Sequence, residues 1–237
     1  MTLPPGMAVA WGARPPGRRG PKPTFTVAQI VAVAVELGDA DGYVAISLPR
    51  IAARLGVTAT AVHRQVGRRD ELLALLLEAG WGTPPPSVRR ARGWRRGARA
   101  WTLALVTRLG EHPWLLDIPV RTAPLTPNLL AWLEAFLHVM RDSGLEPDQL
   151  LGCAVLLDGY ARSTARLAGD ISVSSYDPRA TAEFLVPRLA GAGLPLVAEL
   201  LGSGAYATSA VDREWGLTRV LDGIAELVRS TQPTEAT

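Results

Sequence analysis

The stretch Leu48-Pro49-Arg50-Ile51-Ala52-Ala53-Arg54-Leu55-Gly56-Val57-Thr58-Ala59-Thr60-Ala61-Val62 decides the reading of the chain. It reads as two short helices meeting at Gly56, which allows the left-handed backbone that stops the first helix and turns the chain sharply. Ala52 lies four residues earlier, where a small side chain lets the second helix cross closely. Ile51, Leu55, Val57 and Val62 fall where the two helices bury apolar side chains against each other. Small, glycine and apolar positions at this spacing form the helix-turn-helix pattern, whose second helix is offered to the major groove. An ordinary corner between two helices is the alternative that the same Gly and Ala spacing supports.

Burial of Val57 and Val62 leaves Thr58, Ala59, Thr60, His63 and Arg64 on the outward face of the second helix. Thr60 and Arg64 suit hydrogen bonds to base edges, and the methyls of Ala59 or Thr60 suit thymine methyls. His63 and the flanking Ser47, Arg50, Arg68 and Arg69 suit phosphates, which position a protein without reading sequence. Arg68 and Arg69 stand at a helix start, where cations oppose the helix dipole; an anionic partner relieves that clash.

Working outward, Thr26 is placed to cap a helix carrying Ile30, Val33, Ala34 and Leu37 on one face and ended by Gly38. Ser47 is expected to cap Leu48 to Leu55, with Pro49 in the first turn. Thr58 opens the helix that runs through Val66, and Asp70 is expected to cap one from Glu71 to about Trp81. Thr83-Pro84-Pro85-Pro86-Ser87 is the clearest break. Longer helices are predicted over about 88–110, 127–143, 147–168 and 210–230, with shorter ones near 179–190 and 194–201. No convincing alternation of period two appears, so the class is all-α. An N-terminal three-helix helix-turn-helix domain is expected at 25–82, joined to a larger helical bundle at 88–231.

Residues 1–24 precede this, with four prolines between Pro15 and Pro23 among Arg18, Arg19 and Lys22. The composition predicts a flexible, extended basic arm. Residues 1–13 read as a leader outside the fold, with Met7 as an alternative start, whereas Arg18, Arg19 and Lys22 read as DNA-facing.

Residues 26–75 resemble the DNA-binding domain of the TetR family of transcriptional regulators. The matching motifs are Gly42 to Ser47, Ile51-Ala52-Ala53-Arg54-Leu55-Gly56-Val57-Thr58, Val62-His63-Arg64-Gln65-Val66, and Arg69 before Leu72. His63, Gln65 and Val66 stand where the family pattern has Tyr, His and Phe, and Arg69 keeps the charge of the family's phosphate-contacting lysine. The histidine puts an imidazole where the family pattern has a tyrosine–phosphate contact. The arm resembles basic extensions in one branch of the family, which implies reach into the adjacent minor groove. Residues 88–230 look like the C-terminal domain of that branch, with landmarks at Trp94 to Trp101, His112-Pro113-Trp114, Pro127-Asn128, Leu156 to Tyr160 and Glu214 to Leu217. The resemblance implies a domain that binds a small molecule and forms a homodimer, its helices near 147–168 and 210–230 packing with their mates as a four-helix bundle.

Trp94 and Trp101 are seven residues apart, and Trp132 and Phe136 four apart, each pair on one helix face. Core packing explains such rings, and a ligand pocket needs the same walls. The candidate pocket is Trp101, Leu105, Arg121, Trp132, Phe136, Asp158 and Arg162, with Arg108 and His138 as further polar candidates. His112 is expected to order the turn at Pro113, and Cys153 to be an inert buried thiol.

Other classes fit less well. There is no His-Glu-x-x-His, no Cys-x-x-Cys and no strand-turn-helix nucleophile elbow, so an enzyme lacks its parts. Gly202-Ser203-Gly204 follows a helical stretch and reads as a loop. Three dispersed histidines and one cysteine suggest no metal site, no cofactor is implied, and one cysteine excludes a disulfide framework. A non-specific DNA-coating protein is the remaining rival. No apolar run approaches the roughly 18 residues a membrane span needs. The N-terminus lacks the order of a secretory signal, which places the expected protein in the cytoplasm. The net charge of +3 hides a division. Residues 1–100 carry 15 Lys and Arg against 6 Asp and Glu, a net of +9, while residues 101–237 carry 10 against 16, a net of −6. A basic DNA-facing half thus adjoins an acidic ligand-and-dimer half. The partners expected are a palindromic double-stranded operator, a small-molecule effector and a second copy of the chain.

Overall fold

The computed structural model describes residues 6–13, 25–119, 125–173, 177–204 and 213–231. Arg18, Arg19, Lys22 and Arg121 lie outside them. Among the described residues there are twelve α-helices, two 3-10 turns and no strand.

After a short α1 (Met7–Ala10), the chain forms α2 (Val27–Asp41), a 3-10 turn (Tyr43–Ala45), α3 (Leu48–Leu55) and α4 (Ala59–Val66). Local chemistry sets these boundaries. Thr26 and Gln29 make a reciprocal capping box at the start of α2. Gly56, at φ 66° and ψ 31°, ends α3 in the left-handed conformation, and Val57 N–H returns to the Ala52 carbonyl at 3.0 Å. Thr58 caps α4 by accepting the Ala61 N–H at 3.2 Å. Ile30, Ala34, Leu37, Ile51, Ala52, Val62 and Val66 are buried between the three helices. Each large apolar side chain sealed there contributes roughly 1.5–3 kcal/mol. Leu55 and Val57 are only half-buried.

Four sequence expectations are corrected. The first helix does not end at Gly38 but runs to Asp41, because Gly38 is itself buried inside the fold. Ser47 occupies the N-cap position of α3 without a side-chain capping bond. Helix α5 (Arg69–Trp81) starts before Asp70, which lies in its first turn rather than at its cap. The helix expected over 88–110 is two helices, α6 (Pro86–Arg90) and α7 (Trp94–Glu111), separated at Gly93 with φ 79°.

Helix α7 is the axis of the second half, which continues through a 3-10 turn (Pro113–Leu116), α8 (Pro127–Met140), α9 (Pro147–Val173), α10 (Pro178–Gly191), α11 (Pro195–Gly202) and α12 (Arg213–Thr231). Helices α8, α9 and α12 pack against α7. Leu105, Leu109, Phe136, Met140, Leu157, Leu217 and Leu221 fill the space between them. A Cβ at Gly97 would lie 2.4 Å from that of Val139, so glycine sets the α7–α8 approach. Two arginines of α7 hold α12: Arg95 donates to the Leu221 carbonyl at 2.8 Å and pairs with Asp222, and Arg99 forks onto the Glu214 carboxylate at 2.6 and 3.1 Å.

Candidate nucleic-acid interface and the junction behind it

Helix α4 turns Val62 and Val66 into the core, which leaves Thr58, Thr60, His63 and Arg64 exposed and Ala59 half-buried. Arg68 is the N-cap residue of α5 and Arg69 its first residue, both exposed. Arg64, Arg68 and Arg69 form no ion pair with a described residue, so their charge is open to an outside anion. Arg50 differs, since it pairs with Asp41 at the end of α2, and Arg54 likewise pairs with Glu36 at 3.5 Å. Ser47 is half-buried at the start of α3. The expected contact residues within the described chain thus gather around α4 and the start of α5, with Arg50 already oriented by a carboxylate.

Behind this face, α5 runs into the second half and is gripped at its far end. The Glu78 carboxylate accepts the Asn128 backbone N–H at 2.8 Å, and the Asn128 amide donates to the Glu78 carbonyl at 2.8 Å. Glu78 therefore supplies the anion that the N-terminus of α8 favours. Arg108 Nε donates to the Trp81 carbonyl at 2.8 Å, and Trp132 Nε1 reaches the Trp81 and Gly82 carbonyls at 3.2 and 3.1 Å. These donors meet carbonyls that the helix end leaves without intrahelical partners.

A second tie joins α2 to the turn after α7. Asp39 Oδ1 accepts from Trp114 Nε1 at 2.6 Å and lies 2.7 Å from His112 Nδ1. Arg108 approaches His112 Nε2 at 3.3 Å, which assigns the Nδ1–H tautomer to the neutral ring. The Trp114 ring is wedged between two glycines. A Cβ on Gly38 or Gly80 would come within 2.8 or 2.7 Å of it. His112 thus orders the junction with α2, beyond its own turn.

Of the expected pocket residues, Trp101, Leu105, Trp132 and Phe136 come together in the core. Trp101 and Phe136 have ring centroids 4.9 Å apart, and Trp101 Nε1 donates to the Trp132 carbonyl at 2.8 Å. Asp158 and Arg162 are half-buried on α9 and paired at 2.7 Å. The Arg162 guanidinium lies 5.4 Å from the Trp81 ring centroid, which brings the α9 pair against the end of α5. Sequence reasoning assigned Trp81, Glu78, Asn128 and Asp39 no role at a site. Pro127-Asn128 and His112-Pro113-Trp114 were visible as landmarks, but their partners lie 50 to 75 residues away. No described helix is long and apolar enough to cross a membrane. The described residues contain no group of three His, Cys, Asp or Glu side chains placed to hold a metal ion.

Residues 89–228 match the family described as tetracyclin repressor-like, C-terminal domain. The chain is similar to the HTH-type transcriptional repressor DrrR1 of Streptomyces coeruleorubidus, 33% identical over 235 aligned residues that cover 92% of this chain and 83% of that one. Its fold is similar to apo ActR from Streptomyces coelicolor, with TM-score 0.69 at 23% identity over 90% of this chain and 100% of that one. ActR in complex with actinorhodin gives TM-score 0.67 at 23% identity, covering 90% and 99%. The family and these relatives are transcriptional regulators rather than enzymes, and the chain belongs to the TetR family of transcriptional regulators.

Proposed function

We propose that the protein is a dimeric repressor that leaves a palindromic operator when a small molecule binds its C-terminal domain. Thr60 and Arg64 read base edges beside Thr58 and Ala59, while Ser47, Arg50, His63, Arg68 and Arg69 hold phosphates. Arg18, Arg19 and Lys22 follow the adjacent minor groove. The observation that carries this reading is the continuous path from Arg69, at the start of α5, to Glu78, whose carboxylate caps α8. Displacement of α8 or of the Arg162–Trp81 contact shifts the far end of α5 and, through it, the spacing of two recognition helices. DrrR1, named a repressor, and ActR, bound to actinorhodin in one of its structures, support repression and a small-molecule effector. The effector site is proposed at Trp101, Leu105, Arg121, Trp132, Phe136, Asp158 and Arg162.

Dimerisation is proposed through α9 and α12, whose outer faces expose Leu151, Val155, Leu156, Leu167 and Trp215. A two-fold pairing of these faces places the two α4 helices about one DNA turn or more apart. The effector works only through its different affinity for the two arrangements, so DNA weakens effector binding reciprocally. Such a protein works in the cytoplasm. Selection of bound duplexes from a random pool tests the proposal. A palindrome supports it, and recovery of unrelated sequences would overturn it.

A further inference from the structure

Residues 6–13 read as a leader in the sequence, yet they form a docked turn across two parts of the fold. Ala10 N–H returns to the Gly6 carbonyl at 3.1 Å, Trp11 N–H to Met7 at 3.1 Å and Ala13 N–H to Ala8 at 2.8 Å. Gly12, at φ 68°, ends the turn. At one end, Gly6 at φ 80° lies so close to α5 that a Cβ there would sit 2.6 Å from both the Asp70 carbonyl oxygen and the Ala74 Cβ. Ala74 is buried although it lies on the opposite side of α5 from Leu72 and Leu76, which face the helix-turn-helix core. At the other end, Trp11 Nε1 donates at 2.8 Å to the carbonyl of Leu125, just before α8. The adjoining Thr126 hydroxyl is buried without a hydrogen-bond partner among the described residues.

We infer that residues 6–13 are an interdomain latch that restrains the DNA-proximal half of α5 against the segment leading into α8. Glu78 ties the far end of α5 to α8, and the latch adds a second tie near Asp70. With both in place, α5 cannot pivot about its Glu78 end without the latch letting go. Both partners of the Trp11 bond are about half exposed, and an exposed hydrogen bond shifts an equilibrium by only roughly two- to tenfold. That is weak enough to open reversibly. A docked latch keeps Arg68 and Arg69 in a fixed relation to α4, so it favours DNA binding by preorganisation. This last consequence rests on the repressor reading above.

Two full-length variants test the latch. Gly6→Val adds the Cβ that α5 leaves no room for, and Trp11→Phe keeps a ring but removes the indole N–H. Hydrogen exchange followed by mass spectrometry is expected to show amides of residues 69–77 exchanging two- to tenfold faster in both variants. Those of α7 are expected to stay as in the unaltered chain and report that the fold is intact. Affinity for the duplex selected from a random pool is expected to fall by a similar factor at fixed salt. Unchanged exchange over 69–77 would overturn the latch, and faster exchange with unaltered affinity would overturn its role in DNA binding. If the unaltered chain selects no duplex, the repressor reading fails and exchange alone decides the latch.

Discussion

Glu78 and Asn128 hold each other twice, side chain to backbone in both directions. The carboxylate accepts the Asn128 N–H at 2.8 Å while the Asn128 amide donates to the Glu78 carbonyl at the same distance. One residue lies near the end of α5 and the other in the first turn of α8. The pair therefore satisfies a free N–H of one helix and adds a second donor to a late carbonyl of the other that already accepts the Gly82 N–H, which makes the two helix ends a single hydrogen-bonded joint.

Glu78→Ala should cost about 1–3 kcal/mol, because it leaves the partly buried Asn128 N–H without its acceptor, and Asn128→Ala about 0.5–1.5 kcal/mol, because the Glu78 carbonyl keeps the Gly82 N–H. In a chain of this size that lowers the melting temperature by several degrees. Glu78→Ala and Asn128→Ala are expected to be non-additive, with a coupling of about 0.5 kcal/mol or more in a double-mutant cycle. Strict additivity in thermal or urea unfolding would show that the two bonds act independently rather than as one joint.

Gly38 and Gly80 invert the usual rule for glycine in a helix. Alanine normally stabilises such a position by about 0.5–1 kcal/mol. Here the added Cβ at Gly38 meets Trp114 Cδ1 at 2.8 Å and Ile46 Cδ1 at 2.9 Å, and at Gly80 it meets Trp114 and Leu115. Gly38→Ala should destabilise by about 1–3 kcal/mol as the ring is pushed aside. Gly110→Ala, with nothing within 4 Å of its Cβ, is expected to be neutral or stabilising. Equal effects of the two in urea unfolding would mean that the Trp114 wedge yields freely.

The contrast between these sites and α3–α4 shows what a sequence makes legible. Gly56 and Thr58 act on backbone groups within five residues, so the spacing around them pointed to the helix-turn-helix directly. Ser47 and Asp70 have the right chemistry for caps, but a cap depends on a rotamer and a start position that spacing does not fix. Gly38 looked like a terminator because Trp114, which demands its smallness, lies far along the chain. The Trp101, Trp132 and Phe136 cluster was legible as one group. That Trp132 also binds the end of α5 was not, since periodicity places a ring on a face without naming the carbonyl its N–H meets.

Cys153 offers a probe of folding in a chain with one thiol. It is buried at 5% exposure, and burial pushes its pKa above the ordinary thiol value. The folded state therefore holds this proton more tightly than the unfolded state. Its contribution to stability is complete below the ordinary thiol pKa and is lost as pH rises through the folded value. Reaction with a disulfide reagent at mildly alkaline pH should be at least about tenfold slower than in the urea-unfolded chain. Similar rates in both states would place the thiol within reach of solvent.

Arg64 and Arg69 separate base reading from phosphate binding. Both are exposed and neither pairs with a described residue, but Arg64 lies on α4 and Arg69 opens α5. An arginine bidentate to guanine discriminates by about 1–3 kcal/mol, whereas a phosphate contact strengthens binding to every sequence alike. Arg64→Ala should therefore weaken the selected duplex far more than a scrambled one. Arg69→Ala should weaken both equally and reduce the slope of log affinity against log salt by about 1. Fluorescence anisotropy on the two duplexes at several salt concentrations measures both quantities. Equal losses on selected and scrambled DNA for both variants would remove Arg64 from base reading and leave α4 as a phosphate-binding helix.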